Sequence, residues 1–218
     1  MGHSDLEGAA AAHVGGEAGP SGQSSLRALA LADEAPYVPL ERLLARGVDI
    51  VLCLGDLTRI DLEPLADVQL PKLGVFGNHD DGGEFDGLGI ENVHLRSVEV
   101  CGLTFGGFSG SHEYRPAKGT RLMWSQKQAS KLLKRFGHVD VMLSHSPPLG
   151  INDDADDPAH VGLQGLRDYV EREHPAMLLH GHTYPPLPAE RLGETQVRHV
   201  RGHRFVTLPA AQRAESAS

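Results

Sequence analysis

Short apolar runs recur along the middle of the chain, at Leu26–Ala32, Asp49–Leu54, Lys72–Phe76, Val139–Leu143 and Ala176–Leu179. Each is nearly continuous in apolar character, which predicts central strands covered on both faces. Helical spacing fills several of the gaps. Leu40, Leu43 and Leu44 share one face and precede Gly47, a residue suited to a helix C-terminus. Ser125 suits the cap of a helix carrying Ala129, Leu132, Leu133 and Phe136, stopped by Gly137. A third helix is predicted from Leu163 to Glu173, ended by His174-Pro175. Val93–Phe108 and Thr195–Leu208 read as hairpins turning at Gly102 and Gly202. The class is α/β with a partly antiparallel sheet.

The length of 218 residues suits one domain, placed at 26–209. Residues 1–25 are rich in Gly, Ala and Ser without periodicity and read as a disordered leader, and 210–218 as a disordered tail. No apolar run approaches the roughly 20 residues that span a bilayer. No basic stretch followed by an apolar one reads as a secretory signal, so the expected location is cytoplasmic. Cys53 and Cys101 sit in apolar runs, as core cysteines do. With 29 acids against 20 bases the formal charge is −9, which disfavours a nucleic-acid partner bound through a broad basic surface. An anionic substrate then needs metal ions or a few arginines to reverse the field locally.

The residues at the ends of the apolar runs carry the candidate chemistry. The runs lead into Asp33, into Gly55-Asp56, into Gly77-Asn78-His79-Asp80, into Ser144-His145 and into His180-Gly181-His182. In open α/β sheets ligands bind beyond the carboxyl ends of the strands. Parallel strands would therefore gather Asp33, Asp56, Asn78, His145 and His182 at one edge. Two carboxylates, an amide oxygen and two imidazoles suit manganese, iron or zinc better than calcium or copper. Such ions polarise phosphoryl oxygens and lower the pKa of coordinated water to about 7. His79 would be free to protonate a leaving oxygen, with Asp80 orienting its ring.

Taken in order, Ala32-Asp33-Glu34-Ala35, Leu54-Gly55-Asp56-Leu57, Gly77-Asn78-His79-Asp80, Leu143-Ser144-His145 and Gly181-His182-Thr183-Tyr184 resemble the motifs of the calcineurin-like metallophosphoesterase superfamily. The resemblance implies an α/β/β/α sandwich with mixed sheets and outer helices, and a phosphoesterase acting on a small phosphomonoester or phosphodiester. It implies that Asp56 bridges two metals and that Asn78, His145 and His182 complete one of them. Asp33 would belong to the other, with two histidines that are replaced here by Ala35 and Tyr184. The resemblance thus implies one firm metal site and a weak or absent second one, which would borrow Glu34, His112 or substrate oxygens.

Blander readings stand beside these. Asp33 suits a helix N-cap shortly before Pro36. Gly-Asn-His-Asp is good turn chemistry, and His145 before two prolines suits a satisfied core histidine. His180 is expected behind the ligands or facing substrate. His112 is either a substrate-binding residue or an exposed loop histidine. Arg59 is placed to reach a phosphate, or to pair with Asp61 on the surface. The acidic run Asp153, Asp154, Asp156 and Asp157 is a solvated loop or a lid. The rival function is a weakened or inactive scaffold on the same fold, as in the retromer scaffold, favoured by Ala35 and Tyr184 and opposed by His79.

Overall fold

The computed structural model describes residues 25–115 and 122–210. The leader and tail therefore lie almost wholly outside the described residues. In chain order the elements are β1 (Arg27–Ala32), α1 (Leu40–Leu44), β2 (Ile50–Cys53), α2 (Arg59–Leu62), a 3₁₀ turn (Glu63–Leu65), β3 (Lys72–Gly74), β4 (Glu91–Asn92), β5 (Ser97–Val100), β6 (Leu103–Phe108), β7 (Ser111–His112), β8 (Met123–Trp124), α3 (Gln126–Leu133), β9 (Val141–Ser144), α4 (Gln164–Glu173), β10 (Met177–His180), β11 (Ala189–Leu192), β12 (Thr195–His199) and β13 (Gly202–Thr207).

The strands form two large sheets, ordered β13-β1-β2-β3-β4 and β11-β12-β10-β9-β6-β5, with β7 and β8 a separate pair. In the first sheet β1 to β4 are parallel and β13 is antiparallel. In the second, β12, β10, β9 and β6 are parallel, with β11 and β5 antiparallel at the edges. Side chains alternate along each strand and sort the core into layers. Ala28, Ala30, Ile50 and Leu52 of the first sheet meet Phe105, Val141, Leu143 and Leu179 of the second between the sheets. The intervening Leu29, Leu31, Val51 and Cys53 pack outward with Leu40 and Leu43 of α1. On the far side Met142, Leu178 and Val197 are covered by Ala129, Leu133, Leu166 and Tyr169 from α3 and α4. This is the expected α/β/β/α sandwich. Truncating one inter-sheet side chain such as Leu52 to Ala would cost about 2–5 kcal/mol.

Ser125 caps α3 through a reciprocal bond with Gln128, as its sequence suggests. Other expectations need correction. Thr195–Leu208 is not a hairpin, because β12 joins β10 in one sheet and β13 joins β1 in the other. The turn at Gly202 carries the chain between sheets, since each strand finds its partner far away in sequence. The five apolar runs are divided between the sheets: β1, β2 and β3 belong to the first and β9 and β10 to the second. Asp33 caps no helix, because α1 starts at Leu40 behind Pro39. Cys53 is buried, but Cys101 is exposed where the β5–β6 hairpin turns. Among the described residues no helix is long and apolar enough to cross a membrane.

Candidate metal centre

The carboxyl ends of the parallel strands of both sheets meet at one edge of the sandwich. There the chain leaves β1 through Asp33, β2 through Gly55-Asp56 and β10 through Gly181-His182. Asp33, Asp56 and His182 all take positive φ, at 62°, 53° and 71°. Left-handed backbone is unfavourable for non-glycine residues by roughly 1–2 kcal/mol each, so surrounding bonds must hold it. The Asp33 N–H donates to the Gly55 carbonyl at 3.1 Å. The His182 N–H donates to both Asp33 carboxylate oxygens at 3.0 Å. Close approach also selects residues here: a Cβ on Gly77 would lie 1.9 Å from Asp56 Oδ1, and one on Gly181 would lie 2.9 Å from Asp33 Oδ2.

Asp56, Asn78 and His145 meet through their side chains. His145 is fully buried, and its Nδ1 lies 2.9 Å from the Leu54 carbonyl oxygen. A carbonyl only accepts, so Nδ1 carries a proton and Nε2 faces inward. That nitrogen lies 3.0 Å from Asn78 Oδ1 and 3.4 Å from Asp56 Oδ2. Two oxygens converging on a ring nitrogen require something positive between them, a proton or a cation. His182 completes the group: its Nε2 lies 2.8 Å from the Ala159 carbonyl, which leaves the lone pair on Nδ1. Ligand atoms of Asp56, His145 and His182 lie within 4.8 Å of one another. Bonds to such an ion are about 2.1 Å long, so donors this close could share one. The donors fit a divalent transition ion, and the residues present meet that test.

Charge in this cluster is strongly coupled. Burial disfavours a charged His145, but Asp56 and then Asp33 outweigh it and carry its pKa to about 9. Burial also works against the Asp56 carboxylate, yet His145 and the His79 N–H hold it down at about 2. Burial raises Asp33 to about 6 against the pull of His145 and the His182 N–H. His182 is driven the other way, to about 3, by burial and by repulsion from His145. It is therefore neutral near pH 7 and has a lone pair to offer.

The remaining predicted residues separate. His79 projects into a cleft of about 790 Å³ that Asp33, Asp56 and Arg59 also line. Its N–H donates to Asp56 Oδ1 at 2.8 Å, which fixes its backbone beside the donor cluster. Asp80 does not orient the His79 ring. Its Oδ2 accepts the N–H groups of Gly77 at 2.6 Å and Asp56 at 2.9 Å, so it ties two loops together. Burial is the leading cause that raises Asp80 to about 6. Asp33, expected as a ligand, accepts the His182 N–H with both oxygens and is not one of the three residues whose ligand atoms lie within 4.8 Å of one another. Arg59 is exposed at the cleft and donates to the Asp86 carbonyl, not to Asp61, which is taken up in capping α2 with Thr58. His112 lies in β7, half-buried, and is not among the residues lining the cleft.

His180 does not face substrate. It is fully buried, with Nδ1 2.9 Å from the Gly181 carbonyl and Nε2 3.2 Å from Asn152 Oδ1. The positive φ at His182 turns the chain, so a spacing of two does not keep both rings on one side. Sequence reasoning missed His160, whose ring lies 5.2 Å from that of His182 and 5.3 Å from that of Tyr184. It also missed Arg201, which reaches Glu34 and Tyr184 from the β12–β13 link. Neither carries a motif; a histidine three residues after Asp157 is the only local hint.

Comparison with known proteins agrees with this architecture. Among solved structures, one superposes with a TM-score of 0.63 at 16% identity, over 85% of this chain and 100% of its own. TT1561 of Thermus thermophilus superposes with a TM-score of 0.60 at 15% identity, over 84% of this chain and 99% of its own. At such identities the likeness is one of fold. No curated protein matches the chain. The family model described as calcineurin-like phosphoesterase matches residues 23–186, a span that holds every donor of the cluster. The chain belongs to the calcineurin-like phosphoesterase family.

Proposed function

We propose that the protein hydrolyses a small phosphomonoester or phosphodiester with a divalent transition ion, manganese, iron or zinc, held by Asp56, Asn78, His145 and His182. The observation that carries this reading is the convergence of Asp56, Asn78 and His145 on one point, with His79 in the adjoining cleft. When bound, the ion supplies Lewis-acid chemistry on a phosphoryl oxygen and acidifies water. The chain's own groups do the rest. Leu54 and Ala159 fix the tautomers of His145 and His182, so each presents a lone pair. Asp33 holds the His182 backbone, and Asp80 holds the loops that carry Asp56 and Asn78. His79 donates a proton to the leaving oxygen as water takes its place on phosphorus. Arg59 faces the same cleft and attracts the anionic substrate.

The test is turnover of p-nitrophenyl phosphate and its bis ester by protein loaded with manganese. His79→Ala should lower kcat about 10²- to 10⁴-fold with manganese affinity kept, and Asp56→Ala should abolish both. Activity indifferent to the two substitutions overturns the mechanism. Ala35 and Tyr184, which stand where the resemblance leads one to expect two histidines, favour a second reading as a non-catalytic scaffold. Tight manganese binding with no turnover of either ester would support it.

A further inference from the structure

Arg201 is held beside the two turns that carry Asp33 and His182 by contacts that no core packing requires. Its guanidinium bonds Glu34, the residue after Asp33, and lies over the Tyr184 ring with the central carbon 4.6 Å from the centroid. The hydroxyl of Tyr37 donates to the other Glu34 oxygen at 3.4 Å. Tyr37 and Tyr184 are among the most exposed large side chains, at 88% and 63%. The arginine is thus clamped next to the residues that follow Asp33 and His182 while about half exposed, so part of its fork of N–H donors faces solvent. Its charge reaches Asp33, which lines the cleft. Arg201 thus adds to the positive charge that His145 already brings to Asp33.

We propose that Arg201 is a phosphate-binding residue that flanks the metal centre and favours dianionic phosphomonoesters over monoanionic diesters. A planar guanidinium presents paired N–H groups that match two oxygens of one phosphate. Glu34 and Tyr184 fix its plane in advance, which lowers the entropy lost when an anion binds. A monoester offers three terminal oxygens and two charges, enough for the ion and the guanidinium together. A diester has two terminal oxygens and one charge, and gains less from the second cation. The inference rests on the metallophosphoesterase reading above.

The experiment measures inorganic phosphate binding by calorimetry to manganese-loaded wild type, Arg201→Ala and Arg201→Lys, after manganese binding has been titrated separately. Phosphate should bind Arg201→Ala about 10- to 100-fold more weakly, the size of one charge-assisted hydrogen bond. Arg201→Lys should fall between, and manganese affinity should not change. In turnover, Arg201→Ala should lose at least tenfold in kcat/KM for p-nitrophenyl phosphate and less than twofold for the bis ester. Equal phosphate affinity in wild type and Arg201→Ala, with manganese bound, overturns the role of Arg201 and leaves the metal reading standing. Failure of the wild type to bind manganese overturns the metal reading, and this proposal with it.

Discussion

Asp33 accepts the His182 backbone N–H with both carboxylate oxygens at 3.0 Å, across 149 positions of sequence. One residue ends a strand of the first sheet and the other follows a strand of the second. The bond therefore locks together the two edges between which the donor cluster lies. Replacing Asp33 with Ala leaves that N–H without its acceptor, at a cost of about 1–3 kcal/mol. At about 2–4 °C per kcal/mol for a domain of this size, calorimetry of the metal-free protein should show a drop of several degrees. Manganese affinity should fall as well, because His182 is no longer held. An unchanged melting temperature would count against the locking role.

Asp80 gives a second structural prediction. Its Oδ2 serves the N–H groups of Gly77 and Asp56, and Asp80→Leu keeps comparable bulk while removing that acceptor. Two buried donors lose their partner, for a loss of about 3 kcal/mol and roughly 6–12 °C in melting temperature. Lost activity with full thermal stability would instead place Asp80 at the chemistry.

Metal binding should release a proton. Without metal, His145 has a pKa of about 9 and is protonated at pH 7. An ion needs the Nε2 lone pair that this proton occupies. Apparent manganese affinity should then rise about tenfold per pH unit from pH 6.5 toward 8.5. Titrations in buffers of different ionisation heat should count close to one proton released. A flat affinity over that range would show that His145 is not a ligand.

Burial of His180 should cost the metal-free fold stability in mild acid, against the opposite contributions of His145, Asp33 and Asp80. Burial is the main cause that depresses His180 from 6.5 to about 3. The unfolded chain therefore takes up this proton first as pH falls, and stability is present above 6.5 and lost toward 3. At pH 5 the loss from His180 is about 2 kcal/mol. Urea unfolding with chelator at pH 7 and pH 5 should show it, and His180→Gln should flatten the dependence. An identical pH slope in the variant would remove His180 as the cause.

Some of this was legible in the residues alone. Apolar runs such as Ile50–Leu54 specify buried strands because their side chains have nowhere else to go, and a charged or imidazole residue at the end of such a run needs a partner. Asp56, Asn78, His145 and His182 could be named on that ground. The resemblance of the ordered motifs then indicated an α/β/β/α sandwich. Periodicity also located α3 and α4, since their apolar faces and end signals are local.

Only the tertiary structure decided the rest. Whether consecutive strands pair or part depends on which distant edge is open, so the segment read as one hairpin is split between two sheets. The loop-tying role of Asp80 and the turn of Asp33 toward His182 depend on backbone N–H groups 24 and 149 positions away, and the direction of His180 on the Asn152 side chain 28 positions away. Arg201 reaches Glu34 only because β13 lies against β1. Residue type and local spacing determine what a side chain is able to bind, while long-range packing determines which partner it meets.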